Sequence, residues 1–263
     1  MTQILPIGAG GGAEPAGMGL SHGGANDNYP WDDFDPDAYF IHNYRQLRDD
    51  DRDILGKVRD FFADADISPR SRGIDVGSGA NLYPALCMLP FCERITLYEW
   101  SRGNIKWLRK QLRRHGPAWE QYWRHLIESP AYGAVDDPWT DLQHKARVTR
   151  GSVFEMSERA LDMGTMFFVA ESISKWSHEF ESAVGGFLGA LRLGAPFAAA
   201  FMQNSRGYTV GGINFPAVPI TADDVHRCVG EWAKIDSLYE IGKGDKPLRD
   251  GYDGMILVTG WRR

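Results

Sequence analysis

Between Arg72 and Asn81 the chain reads Arg-Gly-Ile-Asp-Val-Gly-Ser-Gly-Ala-Asn, and no other stretch limits the possible folds so strongly. Its first half is a short apolar run with an acidic residue at its end, which predicts a strand. Gly77 and Gly79 then let the backbone turn sharply and lie close to a ligand. The following residues, Leu82 to Leu89, read as a helix with Pro84 in its first turn, where a missing N–H costs nothing. A strand, a glycine turn and a helix in this order present free backbone N–H groups to something polar or anionic.

Two cofactor classes use such a unit. A dinucleotide site would place a third glycine where Leu82 stands, so an NAD enzyme is left as an alternative. About twenty residues on, Ile95 to Glu99 is a second strand ending in a carboxylate, the position from which an acidic residue accepts hydrogen bonds from ribose hydroxyls. The combination points to a nucleoside cofactor; a glycine pair alone is a plain turn.

Asp75-Val76-Gly77-Ser78-Gly79, Tyr83 and Tyr98-Glu99-Trp100-Ser101-Arg102-Gly103-Asn104 resemble the cofactor motifs of S-adenosylmethionine-dependent methyltransferases. More narrowly, they resemble the nicotinamide, phenylethanolamine and thioether methyltransferase family, from Phe34 to about Gly260. The resemblance implies a Rossmann-like α/β fold, a doubly wound and mostly parallel seven-stranded sheet with N-terminal helices, and S-adenosyl-L-methionine as cofactor. It implies that Gly77, Ser78 and Gly79 pass beneath the methionine part and that Glu99 holds the ribose. Trp100 and Val153 would flank the adenine, and Tyr39, Tyr44 and Tyr83 would order the carboxylate and amine. Asp75, Ser101, Asn104, Ser152 and Glu171 complete the cofactor set. Ser152 departs from the family, which carries an acidic residue there.

A chain of 263 residues with 43% hydrophobic content suits one α/β domain over 29–263. Its net charge of −6, with no basic block, disfavours binding driven by phosphate neutralisation, so nucleic acid is not an expected partner. Cys87, Cys92 and Cys228 are odd in number and read as reduced core thiols, which suits the cytoplasm. No Lys or Arg precedes Arg45 and no apolar run approaches spanning length, so neither secretion nor a membrane is expected.

Residues 1–28 are glycine-rich and nearly uncharged, a predicted flexible tail. Aromatics then gather from Tyr29 to Tyr44, where Phe34-Asp35-Pro36-Asp37-Ala38-Tyr39 and Asn43-Tyr44 resemble the family segment that closes over the cofactor. These 29–70 residues form a helical cap; Leu47, Ile54, Leu55, Val58, Phe61 and Phe62 keep helical spacing within it. Residues 115–145, with Trp119, Tyr122, Trp123, Tyr132 and Trp139, exceed what a crossover needs and form an insertion, whose aromatics either line a pocket or dock it on the core. His115, His125 and His144 are too widely spaced for a helical ligand pair, so no metal is expected.

Downstream, Ala146–Arg150 and the apolar Thr165–Ala170 are predicted parallel strands, and Glu179–Leu193 a helix capped by Gly194. Pro196–Met202 is another strand, Thr221 caps a last helix, and 234–241 with 255–259 form a closing hairpin.

Methyl transfer from a sulfonium needs alignment and exclusion of water but no protein nucleophile, so the lack of a Ser–His–Asp arrangement is expected. The reading is N-methylation of a small-molecule amine or N-heterocycle by a monomer. S- or C-methylation in secondary metabolism and a catalytically silent nucleoside-binding module are the alternatives. In amine methyltransferases of the resembling family, acidic residues follow the fourth and fifth strands; here Lys175, Phe201 and Asn204 stand there. Asp250 or Asp253 is then expected to orient the amine, with Tyr208, Asn204 and Ser205 nearby; both aspartates are also ordinary turn residues before glycine. An acceptor with no proton to lose would need neither.

Overall fold

The computed structural model describes residues 25–157, 160–242 and 247–263. Most of the expected tail, residues 1–24, lies outside the described residues. The tail boundary at 28 needs correction, because Asn26–Asn28 is a 3-10 turn fixed to the body of the protein. The Asn26 N–H donates to Glu179 Oε2 at 3.0 Å and its Nδ2 to the Ile173 carbonyl at 3.1 Å.

Helix α1, Pro36–Asn43, starts where Asp35 accepts the Asp37 and Ala38 N–H groups and proline fills the first position. Helix α2, Asp49–Asp64, opens on three aspartates, which suit the positive end of a helix, and buries Ile54, Leu55, Val58 and Phe62. Strand β1, Ser71–Val76, leads through the glycine turn into the buried helix α3, Tyr83–Met88. Strand β2, Cys92–Glu99, is followed by α4, Arg102–Arg113, capped by the Ser101 hydroxyl. The insertion folds as α5, Trp119–Leu126, α6, Pro130–Gly133, and α7, Pro138–Lys145.

Strand β3, Ala146–Arg150, and β4, Met163–Phe167, follow. The apolar run beyond β4 suggests a strand to Ala170, but the chain leaves the sheet earlier, through Phe168 at φ 60°. The Phe168 N–H is held by the Ala200 carbonyl at 2.7 Å, which fixes this uncommon conformation at the sheet edge. Helix α8, Ser177–Ala190, also stops short of its predicted end, because Leu191 is extended and bridges Leu161. Gly194, at φ 79°, therefore turns the chain into β5 instead of capping the helix, and its N–H goes to the Arg262 carbonyl. Strand β5 is Pro196–Gln203; a small hairpin, β6 Tyr208–Val210 and β7 Ile213–Phe215, leads to α9, Ala222–Gly230. Strands β8, Ala233–Gly242, and β9, Gly254–Arg262, close the fold.

The sheet has seven strands in the order β3-β2-β1-β4-β5-β9-β8. The first five run parallel, and β9 is antiparallel to both β5 and β8. One core packs α2, α3 and the insertion on one face, with Leu55, Phe62, Leu86 and Trp119; the other packs α8 and α9, with Phe187, Phe197 and Val225. This is the expected doubly wound, mostly parallel sheet. Strand order reverses between β1 and β4, and a crevice opens beyond the carboxyl ends of these strands. A third cluster, Phe34, Val210 and Phe215, joins the N-terminal segment to the β6–β7 hairpin above it.

The insertion's aromatics dock it on the core: Trp119, Tyr122 and Tyr132 are fully buried, and the Tyr132 hydroxyl reaches the Cys87 carbonyl at 2.7 Å. Cys87, Cys92 and Cys228 are buried free thiols. Among the described residues no helix is long and apolar enough to cross a membrane, and no group of three His, Cys, Asp or Glu is placed to hold a metal.

Candidate active site

The turn after β1 is built for close approach. Gly77 sits at φ 65° and Gly79 at φ 54°. A Cβ on Gly77 would lie 2.5 Å from Val169 Cγ2, so the loop leaving β4 rests directly on the turn. The Gly77 N–H donates to the Tyr98 carbonyl at 2.7 Å, and the Ser78 hydroxyl to the Asp75 carbonyl at 3.0 Å. Glu99 completes the frame: Oε2 accepts the Gly79 N–H, and Oε1 accepts those of Trp100 and Ser101, each at 2.8 Å. Burial pushes the Glu99 carboxyl upward, and these backbone donors oppose the shift.

Around this frame lies a cavity of about 130 Å³. Its wall includes Tyr39, Tyr44, Gly77, Ser78, Gly79, Glu99, Trp100, Ser101, Asn104, Ser152 and Val153 from the predicted cofactor set. It also includes Asn26, Trp31 and Tyr208, which the sequence did not mark for this cavity. Asn104 Oδ1 is buried there without a hydrogen-bond partner, as a residue awaiting a polar ligand would be. Trp100 is exposed and carries the Arg150 guanidinium 4.7 Å above its ring.

Three predicted cofactor residues are not in the wall. Tyr83 is fully buried, stacked on Tyr122 with centroids 5.5 Å apart, and its hydroxyl donates to Asp51 Oδ1 at 3.1 Å. Asp75 is buried below the turn, where Oδ1 accepts the Thr165 hydroxyl at 2.8 Å, and burial raises it to about 7. Glu171 turns inward, its Oε1 accepting the Met202 N–H and the Ser172 hydroxyl, and burial raises it to about 7. These positions hold the crevice in shape from behind.

A second cavity, of about 410 Å³, adjoins the first and shares with it Tyr39, Tyr44, Phe168, Ser172 and Tyr208. Tyr208 and Asp250 line it as expected, but Asn204, Ser205 and Asp253 do not. Asn204 Nδ2 binds Asp253 Oδ2 at 2.9 Å, and the buried Ser205 hydroxyl accepts Arg249 Nη2 at 2.8 Å, so these three brace the loops. Asp51, His42, Asn43 and Arg249 line the cavity unforeseen. In the sequence Arg249 adjoins the candidate Asp250, whereas Asp51 lies in a run of acids that reads as a solvated helix start.

The profile of the NNMT/PNMT/TEMT family matches residues 25–237. The chain belongs to that family. It is thus a class I S-adenosylmethionine-dependent methyltransferase, as the glycine turn and the Glu99 strand end suggested. No curated protein matches it significantly in sequence. Solved structures share its fold at low identity. N-methyltransferase NodS from Bradyrhizobium japonicum, in complex with S-adenosylhomocysteine, is 12% identical over 82% of this chain and 90% of its own, with TM-score 0.52. The glycopeptide N-methyltransferase MtfA, also complexed with S-adenosylhomocysteine, is 11% identical over 80% and 90%, with TM-score 0.53. The [4+2]-cyclase SpnF is 12% identical over 79% and 80%, with TM-score 0.52. One fold thus carries more than one chemistry, and the acceptor has to be argued from the site.

Proposed function

We propose that this methyltransferase N-methylates a small molecule, an amine or N-heterocycle, held in the second cavity. The observation that carries the reading is the pair of adjoining cavities divided by Tyr39, Tyr44 and Tyr208, one framed by the glycine turn and Glu99, the other by carboxylates. A volume of about 410 Å³ lies within the range of small-ligand sites.

In this reading Gly77 and Gly79 admit the methionine part of S-adenosylmethionine against the backbone, and Tyr39 and Tyr44 cover it. Trp100 and Val153 bound the adenine end. Three backbone N–H groups and the Asn104 side chain bind the Glu99 carboxylate and fix it at the end of β2. In this reading one ribose hydroxyl shares that carboxylate with these donors, and the other meets the unpartnered Asn104 Oδ1. When bound, the cofactor supplies an electrophilic methyl group on a sulfonium. The protein's share is to align the acceptor nitrogen with that methyl and exclude water, for which the aromatic partition is suited. The acidic surface and this pocket size speak for a small acceptor and not nucleic acid.

Titration with S-adenosylhomocysteine, followed by assay of a panel of amines, pyridines and thioethers for methylated product, tests the reading. Binding without transfer to any nitrogen, together with transfer to a thioether, would replace N- by S-methylation.

A further inference from the structure

The second cavity is lined by two carboxylates, Asp51 and Asp250, and Asp51 is placed unlike the other. Asp51 lies in the first turn of α2, is 2% exposed, and stands in the cavity wall. Its Oδ1 accepts the Tyr83 hydroxyl at 3.1 Å. Tyr83 cannot swing away, because it is stacked on Tyr122 and packed edge-on against Tyr44. The Tyr122 hydroxyl is in turn tied to the Tyr44 carbonyl at 3.1 Å. Two core aromatics and a tyrosine of the partition between the cavities thus fix the orientation of one carboxyl group. A buried carboxyl requires a hydrogen-bond partner; Tyr83 supplies one and so fixes Asp51 in the wall of the second cavity.

The charges around it are few. Asp50 is its neighbour, and the Arg48 guanidinium pairs with Asp50 at 3.3 Å. Tyr44, Tyr83 and Tyr122 face it from α1's end, α3 and α5. His42, Arg249 and Asp250 share the cavity wall. Arg249 is engaged elsewhere, donating to the Gly207 carbonyl at 2.8 Å and to Ser205. Asp250 is exposed to solvent, whereas Asp51 is buried and borders the cavity.

We propose that Asp51 is the residue that orients the acceptor's amine and takes up its proton, and hence that the acceptor is a basic amine that arrives as a cation. This rests on the N-methylation reading and narrows it, since a pyridine nitrogen or a thioether has no proton to give. The ammonium group enters against the Asp51 carboxylate, and one N–H proton passes to it. The freed nitrogen lone pair then forms the C–N bond to the methyl carbon as the C–S bond breaks, with the bonding pair left on sulfur. Asp51 returns its proton to water when the methylated ammonium departs. Burial, reinforced by Asp50, raises the Asp51 carboxyl to about 7, close to neutrality, where a group that must both accept and release a proton works best. Tyr83 acts through Asp51 as a positioning residue.

Calorimetry with benzylamine as probe, in the presence of S-adenosylhomocysteine, tests the assignment without turnover. A cation needs the ionised carboxylate, so affinity should rise about tenfold from pH 6 to pH 8, as a group titrating near 7 requires. Benzyl alcohol, pyridine and benzyl methyl sulfide should show no such rise. Asp51→Asn, which keeps an oxygen for the Tyr83 hydroxyl, should bind benzylamine at least tenfold more weakly and without pH dependence, while Asp250→Asn keeps the rise. A rise retained in Asp51→Asn, a rise lost in Asp250→Asn, or no benzylamine binding by wild type would overturn the assignment. Loss of S-adenosylhomocysteine binding by wild type would instead strike the N-methylation reading itself. The wild-type profile and the comparison of the four probes stand even if the variant does not fold.

Discussion

Glu99 Oε2 accepts the Gly79 N–H at 2.8 Å, so the carboxylate ending β2 holds the second glycine of the turn after β1. Removal of a carboxylate that serves the ribose, as the sequence suggests for Glu99, would weaken cofactor binding much more than it lowers the melting point of the empty protein. With three backbone N–H groups left unmatched in a buried site, Glu99→Ala should instead lower stability by about 3 kcal/mol. It should also weaken S-adenosylhomocysteine. For a domain of this size that stability loss moves the melting midpoint by roughly 6–12 °C. An unaltered midpoint with weakened binding would return Glu99 to a purely ligand-facing role.

Gly77→Ala meets two obstacles, a φ of 65° and a Cβ only 2.5 Å from Val169 Cγ2. Left-handed strain and overpacking together should cost roughly 3–5 kcal/mol. Removing both Val169 methyl groups relieves the contact but not the strain. The double variant Gly77→Ala/Val169→Ala should therefore recover about 1–2 kcal/mol relative to additivity, measured by urea denaturation. Strict additivity would mean that the turn moves away from Val169.

The frame of this site was legible because residues 72–104 combine features that only a backbone turn beneath a ligand requires. Tyr39 and Tyr44 stand in the cavity wall where the resemblance of Phe34–Tyr44 to the family's closing segment implied, whereas the change of composition marks only where the cap begins. Tyr83, given by the resemblance to the cofactor, is set back from the cavity because its partner lies in the insertion, where Tyr122 covers its ring. Glu171 ends up facing inward because Phe168 is left-handed, a conformation that an apolar run does not announce. Asp51 looked like any acid at a helix start, since its burial depends on where α2 docks. Side-chain direction after a backbone kink and contacts made by an inserted segment are tertiary facts, without local periodicity.

Stability should fall as pH rises from about 5 to 8. Asp51, Asp75 and Glu171 are each raised by burial to about 7, so across that interval the folded state holds more protons than the unfolded one. Their favourable contribution is complete below their ordinary carboxylate values and is lost as pH climbs through 7. Carboxylates held low, such as Asp137 and Asp224, are already ionised there and do not oppose the trend. Asp75→Asn, which cannot ionise, should flatten part of the decline seen by scanning calorimetry between pH 5 and 8. An equal decline in the variant would mean that Asp75 is not buried in the folded protein.

Truncation tests the N-terminal wall of the cofactor cavity. Asn26 lines that cavity, is tied to Glu179 and Ile173, and accepts the Trp31 Nε1–H at 2.9 Å. Trp31 stacks on Phe215 with centroids 5.2 Å apart, which links this segment to the β6–β7 hairpin. A boundary at 28, chosen from composition, would therefore cut into the wall. Deleting residues 1–24 should leave the affinity for S-adenosylhomocysteine near that of the full chain. Deleting 1–28 removes Asn26 with the three hydrogen bonds that tie it to Glu179, Ile173 and Trp31, and this loosening of the cavity wall should weaken binding by roughly 5–20-fold, about 1–2 kcal/mol. Deleting 1–44 takes away Tyr39 and Tyr44 and should abolish binding. Titration calorimetry on the three truncations orders them. If the 1–28 deletion binds as well as the 1–24 deletion, the 3-10 turn merely rests on the cavity, and closure begins at Trp31.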